Sequence, residues 1–221
     1  MRVLVLCDDN WHPAHVIKEG LEPLRKHDFE FDYILATGPD FQEHAVERLQ
    51  EYPVLLISKS NRVSAEEEKP WISIQMEQVL QSYVNRGGAL LVIHSGTVGY
   101  KDSLAMRELV GAVFNHHPEQ CPVTMKPVDE HPITQGIHEF TIKDEHYFVD
   151  VTAGHDKDIF LSTSSEHGQQ PGGWTRQQGA GCVCVLTPGH NLEVWLHPEY
   201  QKLLRQSLEW CLHNGQGRDA G

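Results

Sequence analysis

Three histidines stand at or just past stretches that read as buried strands. His12 follows Val3–Cys7 through Asp8-Asp9-Asn10-Trp11. His94 closes Ala89–His94, and His190 follows Cys182–Thr187 through Pro188-Gly189. Imidazole is the side chain that titrates nearest neutrality, and it is a frequent metal ligand. In open α/β sheets, ligands bind outside the carboxyl ends of the strands. If these strands run parallel, the three imidazoles meet at one edge, ready to serve as metal ligands or general bases. A single histidine at a strand end often only caps a loop. Three at separate ends favour a shared site, with a structural polar cluster as the competing reading.

Other residues could join them. In Ile93-His94-Ser95-Gly96-Thr97 a strand runs into a sharp turn of small residues, as at a nucleophile elbow. Ser95 is then a candidate nucleophile, although position 93 is Ile and the Gly-x-Ser-x-Gly pattern is not met. Asn115-His116-His117-Pro118-Glu119 is a second histidine cluster, of which at most one imidazole should face a common site. Asp144-Glu145-His146-Tyr147 mixes carboxylates, imidazole and phenol, with a solvated turn as its bland alternative. Trp174, in Gly172-Gly173-Trp174-Thr175, could stack on a sugar or plug the core, and the sequence favours the plug. No Gly-x-Gly-x-x-Gly follows the first strand, and neither a Walker A motif nor His-Glu-x-x-His is present, so no nucleotide cofactor is expected.

The elements that must position these residues alternate. Val3–Cys7, Phe31–Ala36, Val54–Ser58 and Ala89–His94 read as strands, three of them almost continuously apolar, as in a parallel sheet covered on both faces. Helices are expected over Ala14–Lys26 (after Pro13), Gln42–Gln50, and from Pro70 to Arg86, with Ile74, Val79, Leu80 and Val84 on one stripe and Gly87-Gly88 as the stop. This order predicts an α/β fold with a doubly wound, mostly parallel sheet and right-handed crossovers. After a segment Leu104–Val113 the runs Val123–Val128, Phe140–Lys143 and Tyr147–Val151 are short and read as a small antiparallel extension. Ile159–Ser162 and Cys182–Thr187 return to core-strand character. Glu193–Leu196 reads as a short strand, Glu199–His213 as a closing helix, and Gly215–Gly221 as a flexible tail. Residues 1–214 are expected to form one domain.

The chain has 221 residues, a formal charge of -13 and 15 histidines against 18 lysines plus arginines. The acidic balance argues against nucleic acid or an anionic membrane surface as partner. No apolar stretch is long enough to span a bilayer. The apolar start runs into Cys7-Asp8-Asp9-Asn10 with no small-residue cleavage site, so it reads as a strand rather than a secretory leader. Cys7, Cys121, Cys182, Cys184 and Cys211 fit no disulfide framework, which suggests reduced thiols in a cytoplasmic protein.

Several segments, in order, resemble the ThuA-like (trehalose-utilisation) family. They are Gly87–Thr97, Gly111–Pro118, Val128–Ile137, Phe140 with Asp144-Glu145-His146-Tyr147, Trp174-Thr175-Arg176 with Gly179-Ala180-Gly181, and Thr187–His190 through Trp195. The matches cover about residues 2 to 212. The resemblance implies a flavodoxin-like fold of the class I glutamine-amidotransferase type. Glutaminases of that superfamily carry Cys at the elbow, where this chain has His94-Ser95, so no glutaminase activity is expected. It also implies a small carbohydrate as partner, trehalose or a related disaccharide, attacked as a keto-sugar by proton abstraction with elimination, hydration or isomerisation. In that reading His94, Ser95, Glu145 and His190 are the catalytic candidates. His12, His117, Tyr147, Trp174 and Trp195 contact substrate, and His94, Glu145 and His190 hold a divalent metal, zinc or manganese. His15 competes with His12 for the place in the first loop. A non-catalytic sugar-binding or regulatory protein, a Ser hydrolase, and assembly into a homo-oligomer stay open.

Overall fold

The computed structural model describes residues 1–128, 130–152 and 158–215. Its strands are β1 (Arg2–Cys7), β2 (Glu30–Ile34), β3 (Val54–Ser58), β4 (Ala89–Ile93), β5 (Ala112–His116), β6 (Cys121–Pro127), β7 (Phe140–Asp144), β8 (Phe148–Val151), β9 (Asp158–Ser165), β10 (Gly168–Gln178) and β11 (Gly181–Leu186). The helices are α1 (Ala14–Leu21), α2 (Pro39–Glu43), α3 (Ala45–Gln50), α4 (Ile74–Asn85), α5 (Leu104–Val110), α6 (Leu192–Leu196) and α7 (Pro198–Asn214).

Nine strands form one sheet in the order β2-β1-β3-β4-β11-β10-β9-β6-β7, while β5 and β8 pair separately. The first five are mutually parallel, and every pairing from β11 to β7 is antiparallel. The sheet is therefore mixed, and the antiparallel portion is much larger than the short extension expected. Its strands contain polar residues and bulges, so their periodicity is weaker than that of the buried parallel strands. Gly172–Thr175, which resembles a loop, lies inside β10 across one such irregularity.

Side chains alternate across the parallel strands. Val3, Val5 and Cys7 face Ile17 and Leu21 of α1, Trp195 of α6 and Leu203, Leu204 and Leu208 of α7. Leu4 and Leu6 face the opposite core, with Phe41 of α2, Leu49 of α3, Met76 and Leu80 of α4, and Met106 and Leu109 of α5. Cover on both faces is why these strands read as unbroken apolar runs. The sheet edge where β1, β3, β4 and β11 end is left to loops, and those loops carry the histidines.

Local chemistry sets the helix ends. The Ser73 hydroxyl accepts from the Met76 N–H at 3.2 Å, and Ser103 accepts from Met106 at 3.2 Å, each an N-cap that supplies a partner to an otherwise orphan amide. Gly111, at φ 75°, closes α5 in the left-handed conformation that favours glycine. Several expectations change. Ala14–Lys26 is α-helical only to Leu21 and continues as a 3-10 helix over Glu22–His27, and the helix expected from Pro70 begins at Ile74. Gln42–Gln50 is split at His44 into α2 and α3. Ile74 is exposed at the start of α4, whose buried stripe is Met76, Leu80, Tyr83 and Val84. Glu193–Leu196 belongs to helix α6, because its Trp195 must pack down on Gly20 of α1, where even a Cβ would come within 2.5 Å. Apart from Gly215, the expected tail lies outside the described residues.

Candidate functional site

The loop after β1 is organised by two aspartates. Asp8 takes the left-handed conformation at φ 90°, and its side chain accepts from the Ala14 N–H at 3.1 Å, opening α1. Asp9 is buried. Its Oδ1 accepts from the Trp11 and His12 amides, both at 3.0 Å, and from His12 Nδ1 at 2.8 Å. Its Oδ2 accepts from the Ser60 amide past β3 at 2.7 Å. Burial raises the pKa of such a carboxyl, but the bonds from His12 and the backbone outweigh it and hold Asp9 well below the usual range. The resulting carboxylate accepts from His12 Nδ1 and leaves Nε2 turned the other way, buried and without a hydrogen-bond partner. His12 is thus the first-loop histidine that turns inward, while His15 is exposed.

His94 sits at the turn after β4 with φ 46°, a left-handed backbone rare for a side-chain-bearing residue. The strained elbow position is therefore His94, not Ser95. Gly96 permits the close approach that follows, since a Cβ there would come 2.3 Å from the Ile57 carbonyl. His94 Nδ1 donates to the Thr187 carbonyl at 2.8 Å, so Nε2 is again the free nitrogen, buried and unpartnered. Burial pushes the imidazole down to about 4, partly opposed by Glu145, and His94 is neutral at physiological pH. Tyr147 stacks on its ring at 3.9 Å.

The antiparallel part of the chain closes the site. Asp144, the last residue of β7, is fully buried and accepts from the Gly189 amide at 2.8 Å and the His190 amide at 3.0 Å. This clamps the loop after β11. Burial pushes the Asp144 carboxyl up to about 6 against those two bonds. The next residue, Glu145, then faces His190 Nδ1 at 3.2 Å, His94 Nε2 at 3.4 Å and His117 Nε2 at 3.6 Å through one carboxylate oxygen. The facing His190 and His94 overcome the effect of burial and hold the Glu145 carboxyl well below its ordinary range. His190, despite desolvation, is pushed upward by Glu145 and the neighbouring carboxylates.

His12, His94, Glu145 and His190 each offer one donor atom, and these atoms all lie within 4.8 Å of one another. The His94 and His190 nitrogens stand at ion-pair distance from Glu145 without hydrogen-bond alignment. Ligands at the 2.0–2.1 Å typical of zinc with imidazole or carboxylate lie roughly 3.3 Å apart in a tetrahedral shell, close to the two spacings at Glu145. Each of the first two imidazoles has its other nitrogen held by a carboxylate or a carbonyl, the support that orients metal-binding histidines. The donor set could hold a divalent ion, and three buried imidazole nitrogens have no hydrogen-bond partner among the described residues.

Comparison with known proteins decides the family of the chain. A sequence model of the ThuA family, described as trehalose utilisation, matches residues 2–211. The chain belongs to the ThuA family. Its fold is shared with a ThuA-like protein of Parabacteroides merdae (16% identity, 96% of this chain and 90% of that one, TM-score 0.77). A ThuA-like protein of Bacteroides uniformis is similar (18%, 96% and 91%, TM-score 0.72). So is a protein of Salmonella typhimurium described as cytoplasmic (15%, 96% and 99%, TM-score 0.70). No curated protein matches the chain. No helix among the described residues is long and apolar enough to cross a membrane.

The remaining expected site residues divide clearly. His117 is at the cluster, its side chain about one-third exposed and its Nδ1 donating to the Pro118 carbonyl at 2.8 Å. His116 points away and stacks on Phe148. Ser95 is buried with no hydrogen-bond partner on its hydroxyl, so it lacks the adjacent base that a serine nucleophile needs. Trp174 and Trp195 are 1% and 0% exposed and give their indole N–H groups to the Val110 and Gly189 carbonyls. Neither presents a ring face to a ligand; both are core plugs, and Trp195 also braces the loop that carries His190. Arg176 is turned onto the Glu108 and Leu109 carbonyls. Asp9 and Asp144 were not singled out from sequence, although each lies beside a candidate.

Proposed function

We propose that this ThuA-family protein is a cytoplasmic, metal-assisted enzyme of disaccharide breakdown that removes a proton next to the carbonyl of a keto-sugar. The observation that carries this reading is the convergence of His12, His94, His190 and Glu145 with three imidazole nitrogens unpartnered. The family description supports carbohydrate as the substrate class. Five free, buried cysteines fit the cytoplasm. The parallel order β2-β1-β3-β4-β11 is the flavodoxin-type order, and we read the parallel half of the sheet as doubly wound in that sense.

His12, His94, Glu145 and His190 are the residues that would hold the ion, with zinc or manganese the best matches to three imidazoles and a carboxylate. A bound divalent ion supplies a Lewis acid for a carbonyl or enediolate oxygen. Asp9 and the Thr187 carbonyl keep the two supporting imidazoles in the tautomer that presents Nε2. Asp144 keeps the His190 loop in place. Tyr147, whose hydroxyl burial and the nearby carboxylates hold protonated, walls the site beside His94. His117 is the base: its Nδ1–H is committed to the Pro118 carbonyl, so Nε2 is the nitrogen that can accept the proton from carbon. In a 3-keto-glycoside, the electrons of the broken C2–H bond move into the enediolate. The leaving oxygen at C1 then departs with its bonding pair and takes up a proton. Incubation with 3-keto-trehalose in D2O tests this. Deuterium at C2 or release of glucose is expected, abolished in His94→Ala and Glu145→Ala. Neither exchange nor turnover by the metal-containing wild type would reject the enzyme reading.

A further inference from the structure

We propose that Asn191 and Gln120 are positioning residues that hold His117, the base, in place against the metal-binding set, an assignment that rests on the proton-abstraction reading above. Asn191 Nδ2 donates to Gln120 Oε1 at 3.0 Å and to the Lys143 carbonyl at 3.2 Å. Lys143 lies in β7 two residues before Glu145, and Asn191 directly follows His190. Gln120 ends the short connection that runs from His117 to β6. One amide therefore joins the three segments that carry Glu145, His190 and His117. Chemistry settles which way that amide faces. A carbonyl only accepts, so the Asn191 nitrogen must face Lys143, and its second N–H calls for an oxygen from Gln120.

Asn191 stands just before α6, where asparagine ordinarily turns its side-chain oxygen onto the first amides of its own helix. Its backbone carbonyl does accept from the Val194 N–H at 3.0 Å, but its side chain caps nothing in α6 and reaches across the site instead. The ligand residues do not depend on that reach. Asp144 already binds the Gly189 and His190 amides, and the Asn191 bond to Lys143 survives without Gln120. His117 has weaker support. Its side chain is about one-third exposed, and its Nε2 lies 3.6 Å from Glu145. Its Nδ1 bonds to the adjacent Pro118 carbonyl, which moves with it. Its ring lies beside Phe114 and Tyr147 at 5.9 and 5.7 Å, contacts that tolerate sliding. A base displaced by about 1 Å from its substrate can cost about 100-fold in rate. Breaking the bridge should therefore separate turnover from metal binding.

Gln120→Met keeps the side-chain length and removes the acceptor, whereas Gln120→Glu keeps an acceptor oxygen. With zinc bound and 3-keto-trehalose as the probe in D2O, Gln120→Met is expected to exchange C2–H at least about 10-fold more slowly than wild type, with kcat rather than KM carrying the loss and zinc affinity within about 2-fold. Gln120→Glu should recover most of the rate. A second readout needs neither metal nor turnover. In chelator-treated protein, diethyl pyrocarbonate should modify His117 several-fold faster in Gln120→Met than in wild type or Gln120→Glu, scored by peptide mass. The assignment is overturned if Gln120→Met labels His117 at the wild-type rate, if it loses zinc affinity as steeply as rate, or if Gln120→Glu is as impaired as Gln120→Met. Failure of the proton-abstraction reading looks different: wild type shows no exchange, while faster His117 labelling in Gln120→Met alone still upholds the bridge.

Discussion

Replacing Asp9 by Asn should damage both the fold and the metal site, by amounts that can be worked out in advance. Four N–H groups converge on the Asp9 carboxylate, three on Oδ1 and one on Oδ2. An amide keeps one acceptor oxygen. With that oxygen turned toward His12 and Trp11, the new NH2 meets the buried Ser60 amide, and an unsatisfied buried donor costs about 1–3 kcal/mol. Loss of charge assistance toward His12 adds about 1 kcal/mol. The sum, roughly 2–4 kcal/mol, corresponds to a fall in Tm of about 4–16 °C at this chain length. The His12 tautomer is no longer fixed, and metal affinity should drop about 10- to 100-fold. Urea unfolding in chelator measures the first effect, and competitive zinc titration the second. Asp9 also predicts a pH dependence. Its pKa in the folded state lies below the unfolded value of about 3.9, so its contribution is present above that value and is lost as pH falls below it. The stability difference between wild type and Asp9→Asn should therefore shrink across that acid limb. A variant within about 0.5 kcal/mol of wild type that binds zinc equally well would refute this account of the first loop.

Three further outcomes follow from the same geometry. Gly96→Ala places a methyl 2.3 Å from the Ile57 carbonyl and 2.8 Å from Val92 Cγ1; overpacking of this kind costs about 1–3 kcal/mol, and thermal unfolding with normal stability would show that the turn can relax. Lys59, fully buried, has its ammonium pushed down to about 8 by burial despite Asp9 and Asp8. Because the unfolded state holds the proton up to about 10.4, the unfolding free energy of wild type relative to Lys59→Met should rise from pH 8 to 10 and stay flat between pH 6 and 7.5; a flat difference throughout would contradict the burial of a strained charge. With His94 rather than Cys at the elbow, incubation with glutamine should release no ammonia above background, and any glutamine-dependent release lost in His94→Ala would overturn that expectation.

The parallel half of the fold was readable because burial on both faces writes itself into the sequence. Val3–Cys7, Val54–Ser58 and Ala89–His94 are nearly continuous apolar runs, and each became a strand in parallel register. Their carboxyl ends alone suggested that His12, His94 and His190 share an edge. The antiparallel half was less legible. β9 and β10 mix serine, threonine, glutamine and glycine, and their pairing is shifted at Pro171–Trp174, so no two-residue period survives. β5 was missed because its partner, β8, is distant in sequence and forms a separate two-stranded sheet. Within the site, Glu145 could be named but its place could not be derived. It depends on Asp144 binding two amides of the loop after β11, about 45 residues away in sequence, and long-range side-chain-to-backbone bonds leave no local pattern. Trp174 and Trp195 show the limit of reading aromatics: both were named as substrate contacts, with the core plug the favoured alternative at Trp174, and both are buried with their indole N–H groups given to backbone carbonyls.

The central claim is that His12, His94, Glu145 and His190 form one metal-binding set, and X-ray absorption spectroscopy on protein reconstituted with one equivalent of zinc tests it most directly. The account predicts a single nitrogen- and oxygen-rich shell near 2.0–2.1 Å with the multiple-scattering signature of several imidazoles, fewer of them in His94→Ala. Zinc that stays hexa-aqua-like, or a spectrum unchanged by that substitution, would contradict it.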